Sequence, residues 1–390
     1  MGRRSERYEK QKAERTVEQA EAREAIERRW FKRSVETDGL GRLVTGADLH
    51  TEPHHRWLPY SQGFSPALVR LFLETAEGID YGAPAGVLDP FAGSGTTPIE
   101  CAKANVAHAG VEALEPLAFL ARCTSLAEFP PLPDLRGAHT WQEAAERLVE
   151  PIHRAALMLA YGRRFDTDGR PRADAPPLHE LFNDVVRMIR ADQRTPLPRP
   201  VEVEPGDARW LTLLDESAGA MLTSPPYLSR HDYPQRTKPL LRVYRAWHAD
   251  ADMAAQRQRQ MRAHAEAQAA GKRMPRESHP AELESIEALR IRSLGPIADV
   301  VSAYFDDLAL FLSEAARVIR PGCPAWVVIG GARMRDVYIP SDLLAAEMAE
   351  AVGFEVRELR IARRLISAGR KLGTLHNIAP RETVLILRRT

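Results

Sequence analysis

Four groups of residues in this chain have types and spacings that could do chemistry. Asp89-Pro90-Phe91-Ala92-Gly93-Ser94-Gly95-Thr96-Thr97 places two glycines between a short apolar run and a helix-like run. Such a loop lets backbone approach a ligand closely, and the following helix offers free amides to a carboxylate. The loop is neither GxGxxG nor a phosphate loop ending in GK[ST], which disfavours a nucleotide-phosphate site. It suits a ligand with a charged amino-acid end and a nucleoside. Glu112 closes the next apolar run, where an acid can accept both hydroxyls of a ribose. Glu115 competes for that role, and Glu112 is preferred because it directly ends "GVE". Asp207 in "PGDAR" either accepts from an adenine amino group or caps a turn. Finally, Ser224-Pro225-Pro226-Tyr227 offers a hydroxyl, a carbonyl and an aromatic face on a rigid, extended exit from a strand. That set suits a flipped base whose amine is held by acceptors.

The elements that must position these groups follow an α/β rhythm. "GVLDP", the glycine loop, "PIECAKANV" and "HAGVE" form one βαβ unit. A helix is expected near 115–128, and strands at "EVEPG" and "AMLTSPPY". A helix at 298–319, the strand "AWVVIGG", a helix at 341–351 and the strands "FEVRELRI" and "ETVLILRR" complete the sheet. The last two strands are expected to pair antiparallel at one edge. Upstream, Ser65-Pro66 is a helix start, with Leu68, Leu71 and Phe72 on its buried face. Proline-rich joints and polar stretches mark two helical insertions, at about 130–200 and 229–295. Residues 1–35 are so charged that a solvated helix or partly disordered arm is expected. The domain reading is therefore a charged helical arm over 1–50 and one α/β domain over 51–390.

Bulk properties narrow the class. The chain has 390 residues, 44% hydrophobic and 27% charged, with a formal net charge of +1. Any nucleic-acid surface must then be local. The three cysteines, Cys101, Cys123 and Cys323, lack paired spacing, so neither a metal site nor a disulfide framework is expected. No apolar run is long enough for a membrane span. A soluble, cytoplasmic protein is the expectation.

"VLDPFAGSGTT" together with "LTSPPY" resembles the amino-methylating DNA methyltransferases, which modify cytosine N4 or adenine N6. The resemblance covers about 60–390, apart from the insertions. It implies a Rossmann-like, seven-stranded, mostly parallel sheet with helices on both faces. It implies S-adenosylmethionine as cofactor, its methionine part held by the loop Asp89–Thr97 and its ribose by Glu112. The segment containing Phe64 and Ser65 completes the methionine pocket, and Ser224, Pro225, Pro226 and Tyr227 are the catalytic tetrad. Serine in its first position is mostly a cytosine-N4 feature; Asp or Asn usually marks adenine N6. "SPPYLSRHDYPQRT" and "RETVLILRR" are similar to segments of a bacterial subgroup of DNA modification methylases. In many cytosine-N4 enzymes the tetrad precedes the cofactor loop, whereas here it follows.

The expected chemistry is direct methyl transfer to an amine held by Ser224 and Pro225. No cysteine follows a proline or lies near the tetrad, which argues against a covalent cysteine mechanism. Adenine N6, an RNA base, or a module that binds cofactor without turnover are the alternatives. For DNA contact, 229–295 is the first choice: Arg230, Arg236, Lys238, Arg242 and Arg245 interleave with Tyr233, Tyr244 and Trp247. The 130–200 insertion is the rival, and Arg360, Arg363, Arg364, Arg370 and Lys371 could line an opposite wall.

Overall fold

The computed structural model describes residues 21–58, 62–135, 138–228, 232–264, 276–334, 337–365 and 379–390. Among the described residues, ten strands carry its framework. They are β1 (Ser34–Glu36), β2 (Gly86–Asp89), β3 (His108–Glu112), β4 (Val203–Pro205), β5 (Ala218–Thr223), β6 (Pro324–Gly330), β7 (Ala332–Met334), β8 (Val337–Ile339), β9 (Phe354–Arg364) and β10 (Arg381–Arg389). Eight of them form one sheet in the order β1-β9-β10-β6-β5-β2-β3-β4, and β7 and β8 make a separate hairpin.

Among the described strands of the large sheet, β10 alone runs against the rest, antiparallel to both β9 and β6. The central strands are apolar on both faces because helices cover both; every residue of β2, β5 and β6 is buried. The expected antiparallel pair of final strands is present, but it does not close the sheet. β1 adds to β9 in parallel, Ser34 opposite Leu359, as an eighth strand.

Of the charged arm expected over 1–35, residues 1–20 lie outside the described residues, and 21–35 pack on the α/β domain. Helix α1 (Glu21–Trp30) is charged on most of its surface but buries Ile26 and Trp30, which stand four residues apart on one face. Trp30 Nε1 donates to Glu347 at 2.8 Å, Arg23 pairs with Glu284 at 2.5 Å, and Glu27 takes Arg381 at 2.8 Å. Residues 21–36 are thereby part of the folded domain.

Helices α2 (Leu40–Leu43) and α3 (Pro66–Thr75) precede the sheet's centre, and α4 (Thr96–Lys103) follows β2. Helix α5 (Glu115–Cys123) follows β3. The 130–200 region holds α6 (Trp141–Arg147), α7 (Pro151–Arg164) and α8 (Leu178–Asp192). Pro151 starts α7 and separates it from α6.

Downstream lie α9 (Tyr233–Tyr244), α10 (Met253–Gln258), α11 (Pro280–Ile291), α12 (Gly295–Val318) and α13 (Ser341–Ala351). The described residues of 229–295 divide between two apolar cores. Leu240, Leu241 and Tyr244 of α9 share an apolar core with Leu157 of α7, Val185 of α8 and Leu117 of α5. Ile286 and Leu289 of α11 instead enter the main core with Phe305 of α12 and Trp30 of α1. Among the described residues, no helix is long and apolar enough to cross a membrane. All three cysteines are free and buried.

Candidate active site

The chain runs from β2 outward to β3 and β4, then returns to β5 on the other side of β2. The carboxyl ends of β2 and β5 therefore flank the point where strand order reverses, the usual ligand crevice of an open α/β sheet. A cavity of about 720 Å³ opens there.

Asp89 ends β2 and Thr223 ends β5. The Thr223 hydroxyl donates to Asp89 Oδ1 at 2.6 Å, and the Phe91 amide donates to the same oxygen at 3.1 Å. Asp89 is only 2% exposed, and burial pushes its carboxyl up to about 6. The loop then turns through Gly93 and Gly95, both at positive φ. Gly95 has a second constraint: a Cβ there would stand 2.9 Å from Ala121 Cβ of α5.

Glu112 ends β3. Its carboxylate ties the loop to that strand by accepting from the Gly93 amide at 2.7 Å and the Leu114 amide at 2.8 Å. It is 7% exposed, and burial raises its carboxyl to about 7. Glu115, its competitor, pairs with Arg259 at the start of α5.

Asp89, Pro90, Phe91, Ala92, Gly93, Ser94, Thr96, Glu112 and Phe64 all line the cavity. Three expected cofactor contacts stand behind the lining. Ser65 caps α3 through the Ala67 amide at 3.2 Å and donates to Asp48 at 3.0 Å. Gly95 sits under α5 as described. Asp207 is the clearest departure, because Arg209 holds both of its oxygens, at 2.9 and 2.7 Å. Its neighbours Gly206 and Ala208 face the cavity in its place. A carboxylate saturated by a guanidinium is a poor acceptor for a further amine.

Ser224, Pro225, Pro226 and Tyr227 leave β5 and line the opposite wall. The Tyr227 ring packs on Gly330 so closely that a Cβ at Gly330 would lie 3.0 Å from its Cδ2. The Tyr227 hydroxyl donates to Glu382 at 2.8 Å, and the Ser224 hydroxyl lies 3.4 Å from the Tyr227 oxygen. Glu382 also accepts from Arg363 Nε at 2.5 Å. Burial, with the Glu382 charge beside it, holds the Tyr227 phenol well above its ordinary value. Sequence reasoning missed Glu382. It lies 155 residues from Tyr227, on the one reversed strand, and nothing in "RETVLILRR" marks it.

The expected DNA-contacting cations and aromatics divide. Arg230, Arg370 and Lys371 lie outside the described residues. Arg236 is exposed and Lys238 half-buried on α9. Arg242 turns inward, its Nη1 donating to the Tyr161 hydroxyl at 3.3 Å. Tyr244 is buried and stacks on His248 at 4.1 Å. Trp247 donates to the Ala145 carbonyl at 3.0 Å under the Arg154 guanidinium. These two aromatics fill the helical layer, while Tyr233 lines the cavity. Across the sheet edge, Arg360 lies over Trp326, Arg364 pairs with Glu36 of β1, and Arg363 reaches the cavity wall.

No protein-family model matches the chain. Type II methyltransferase M.BsoBI of Geobacillus stearothermophilus is 22% identical over 93% of this chain and 91% of its own length. Type II methyltransferase M.AvaI, from Nostoc sp. and from Anabaena variabilis, is 21% identical over 86% of each partner in the comparison. The chain is thus a distant homologue of type II methyltransferases across nearly its full length.

Proposed function

We propose that this protein transfers a methyl group from S-adenosylmethionine to the exocyclic amine of a DNA base, and that the base is cytosine, methylated at N4. The observation that carries the reading is one of convergence. The glycine loop, Glu112 and the Ser-Pro-Pro-Tyr tetrad, dispersed over residues 89–227, line one cavity at the strand ends. The near-full-length homology to type II methyltransferases supports the same reaction class.

The residues present fit the cofactor. The cavity volume of about 720 Å³ lies within the roughly 300–1,000 Å³ of small-molecule sites. Two buried carboxylates at adjacent strand ends favour a ligand that carries positive charge and hydroxyl donors. Phe64 and the loop would hold the methionine part, and Glu112 the ribose. S-adenosylmethionine, when bound, supplies an electrophilic methyl group on a sulfonium.

The chain's own part is positioning. An exocyclic base amine is a poor nucleophile because its lone pair is delocalised into the ring. Accepting its two N–H bonds at the Ser224 hydroxyl and the Pro225 carbonyl favours a pyramidal nitrogen with a directed lone pair. Groups already oriented before reaction lower the barrier most. The cytosine assignment rests on serine standing at 224.

Ser224→Ala tests this assignment of roles. It removes one acceptor and leaves the wall's shape nearly intact. The single-turnover methylation rate should fall about 10²–10³-fold, with DNA and cofactor affinities unchanged. An unchanged rate would remove Ser224 from the chemistry.

A further inference from the structure

We infer that Glu382 is a positioning residue that fixes the direction of the hydrogen-bond chain Ser224–Tyr227–Glu382, so that Ser224 presents only acceptor lone pairs to the target base. The inference rests on the methyl-transfer reading and assigns the pocket's preference for an amine over a carbonyl.

A serine hydroxyl is ambiguous, with one hydrogen to donate and two lone pairs to accept. Left to rotate, it can meet an amine as an acceptor or a carbonyl as a donor. The neighbours of Ser224 remove that choice. An ionised carboxylate only accepts, so the single Tyr227 phenolic hydrogen is directed to Glu382, at 2.8 Å. The Tyr227 oxygen is left with lone pairs, and the Ser224 hydroxyl lies 3.4 Å from it. That contact is loose, as such contacts often are before substrate tightens a site. With its hydrogen directed to Tyr227, Ser224 offers oxygen lone pairs to the cavity.

Two further observations hold the chain in place. Arg363 Nε donates to the second Glu382 oxygen at 2.5 Å and supplies a positive charge beside a carboxylate that is only 3% exposed. Gly330 lets the Tyr227 ring sit against backbone, which fixes where the hydroxyl points. A pyrimidine with an amine at C4 then meets acceptors. One with a carbonyl at C4 meets oxygen against oxygen, and the unpaired polar contact disfavours it.

Coupling separates this role from a merely structural one. Glu382→Gln keeps the side-chain size and removes the charge. It should lower the single-turnover rate about 10–100-fold, the worth of a charged hydrogen bond, with KM for DNA and cofactor unchanged. In the Glu382→Gln or Tyr227→Phe background, Ser224→Ala should cost less than about tenfold, against about 10²–10³ in the parent. Full additivity of the two losses overturns the inference, because residues acting independently add. A second readout needs no turnover. With 3-fluorotyrosine at 227, the fluorine resonance should report phenol ionisation at lower pH once Glu382→Gln removes the neighbouring charge. An unmoved titration overturns the inference even where the parent methylates DNA. An inactive parent overturns the reading on which it rests.

Discussion

Asp89 and Glu112 sit at the ends of neighbouring strands, and burial raises both, to about 6 and about 7. For each acid the folded value lies above the unfolded one. Its contribution to stability is therefore full below the unfolded value, near 4, and is lost as pH rises through about 6 for Asp89 and about 7 for Glu112. At neutral pH the ligand-free site carries the cost of ionising buried carboxylates. A ligand that donates hydroxyl hydrogens to Glu112 needs the ionised form, which has the greater acceptor capacity. Cofactor affinity, measured by calorimetry, should rise as pH increases from about 5.5 to 7.5, with proton release on binding. Glu112→Gln should weaken binding and flatten that slope. A parent protein whose affinity is level across this range would contradict the assignment of Glu112. At this scale the sequence was most informative where side-chain type alone limits the chemistry, as at Gly93 and Ser224. It was least informative at Asp207, whose partner Arg209 lies only two residues away. "PGDAR" is equally compatible with a carboxylate facing a ligand and one facing its own arginine.

Helix α9 shows how far an element can be read from its pattern. Its cations alternate with aromatics, but they differ in exposure and in partner. Arg236 is exposed and Lys238 half-buried, whereas Arg242 donates to Tyr161 and the adjacent Trp247 donates to Ala145, both in the helices of 130–200. Replacing Arg236 and Lys238 together by Ala should weaken DNA binding and make it less steep in salt by about two phosphate contacts. Cofactor affinity should stay the same. Arg242→Ala should instead lower stability by about 1 kcal/mol through the lost Tyr161 hydrogen bond, leaving the salt slope intact. Fluorescence anisotropy across a salt series, paired with denaturant unfolding, distinguishes the two. Equal salt slopes for the parent and the double variant would take α9 out of the interface. Periodicity locates a helix and its apolar face, but not the partner of that face. For this reason 229–295 could be recognised as helical, but not as divided between two cores. The same limit hid α1, since Ile26 and Trp30 are two apolar residues within a charged run. The three residues of β1 carry no pattern at all. By contrast β2, β5 and β6, buried on both faces, are short apolar runs closed by Gly or Pro, and such strands are legible without a partner.

At the scale of the whole molecule, the sheet order does the assembling. The reversal between β2 and β5 brings the glycine loop and the tetrad to one cavity although more than a hundred residues separate them. The reversed strand β10 brings Glu382 to the same wall. The βαβ signature made the first convergence legible, because a strand, glycine loop, helix, strand and acid permit few topologies. The second depended on which strands pair across the sheet, and that is set by packing over the full chain. The central claim is amino methylation of cytosine, and one measurement addresses it directly. Purified protein is incubated with double-stranded DNA and isotopically labelled S-adenosylmethionine, and the DNA is digested to nucleosides for mass spectrometry. The account predicts labelled N4-methylcytosine, and labelled 5-methylcytosine or N6-methyladenine in its place, or no labelled nucleoside at all, would contradict it.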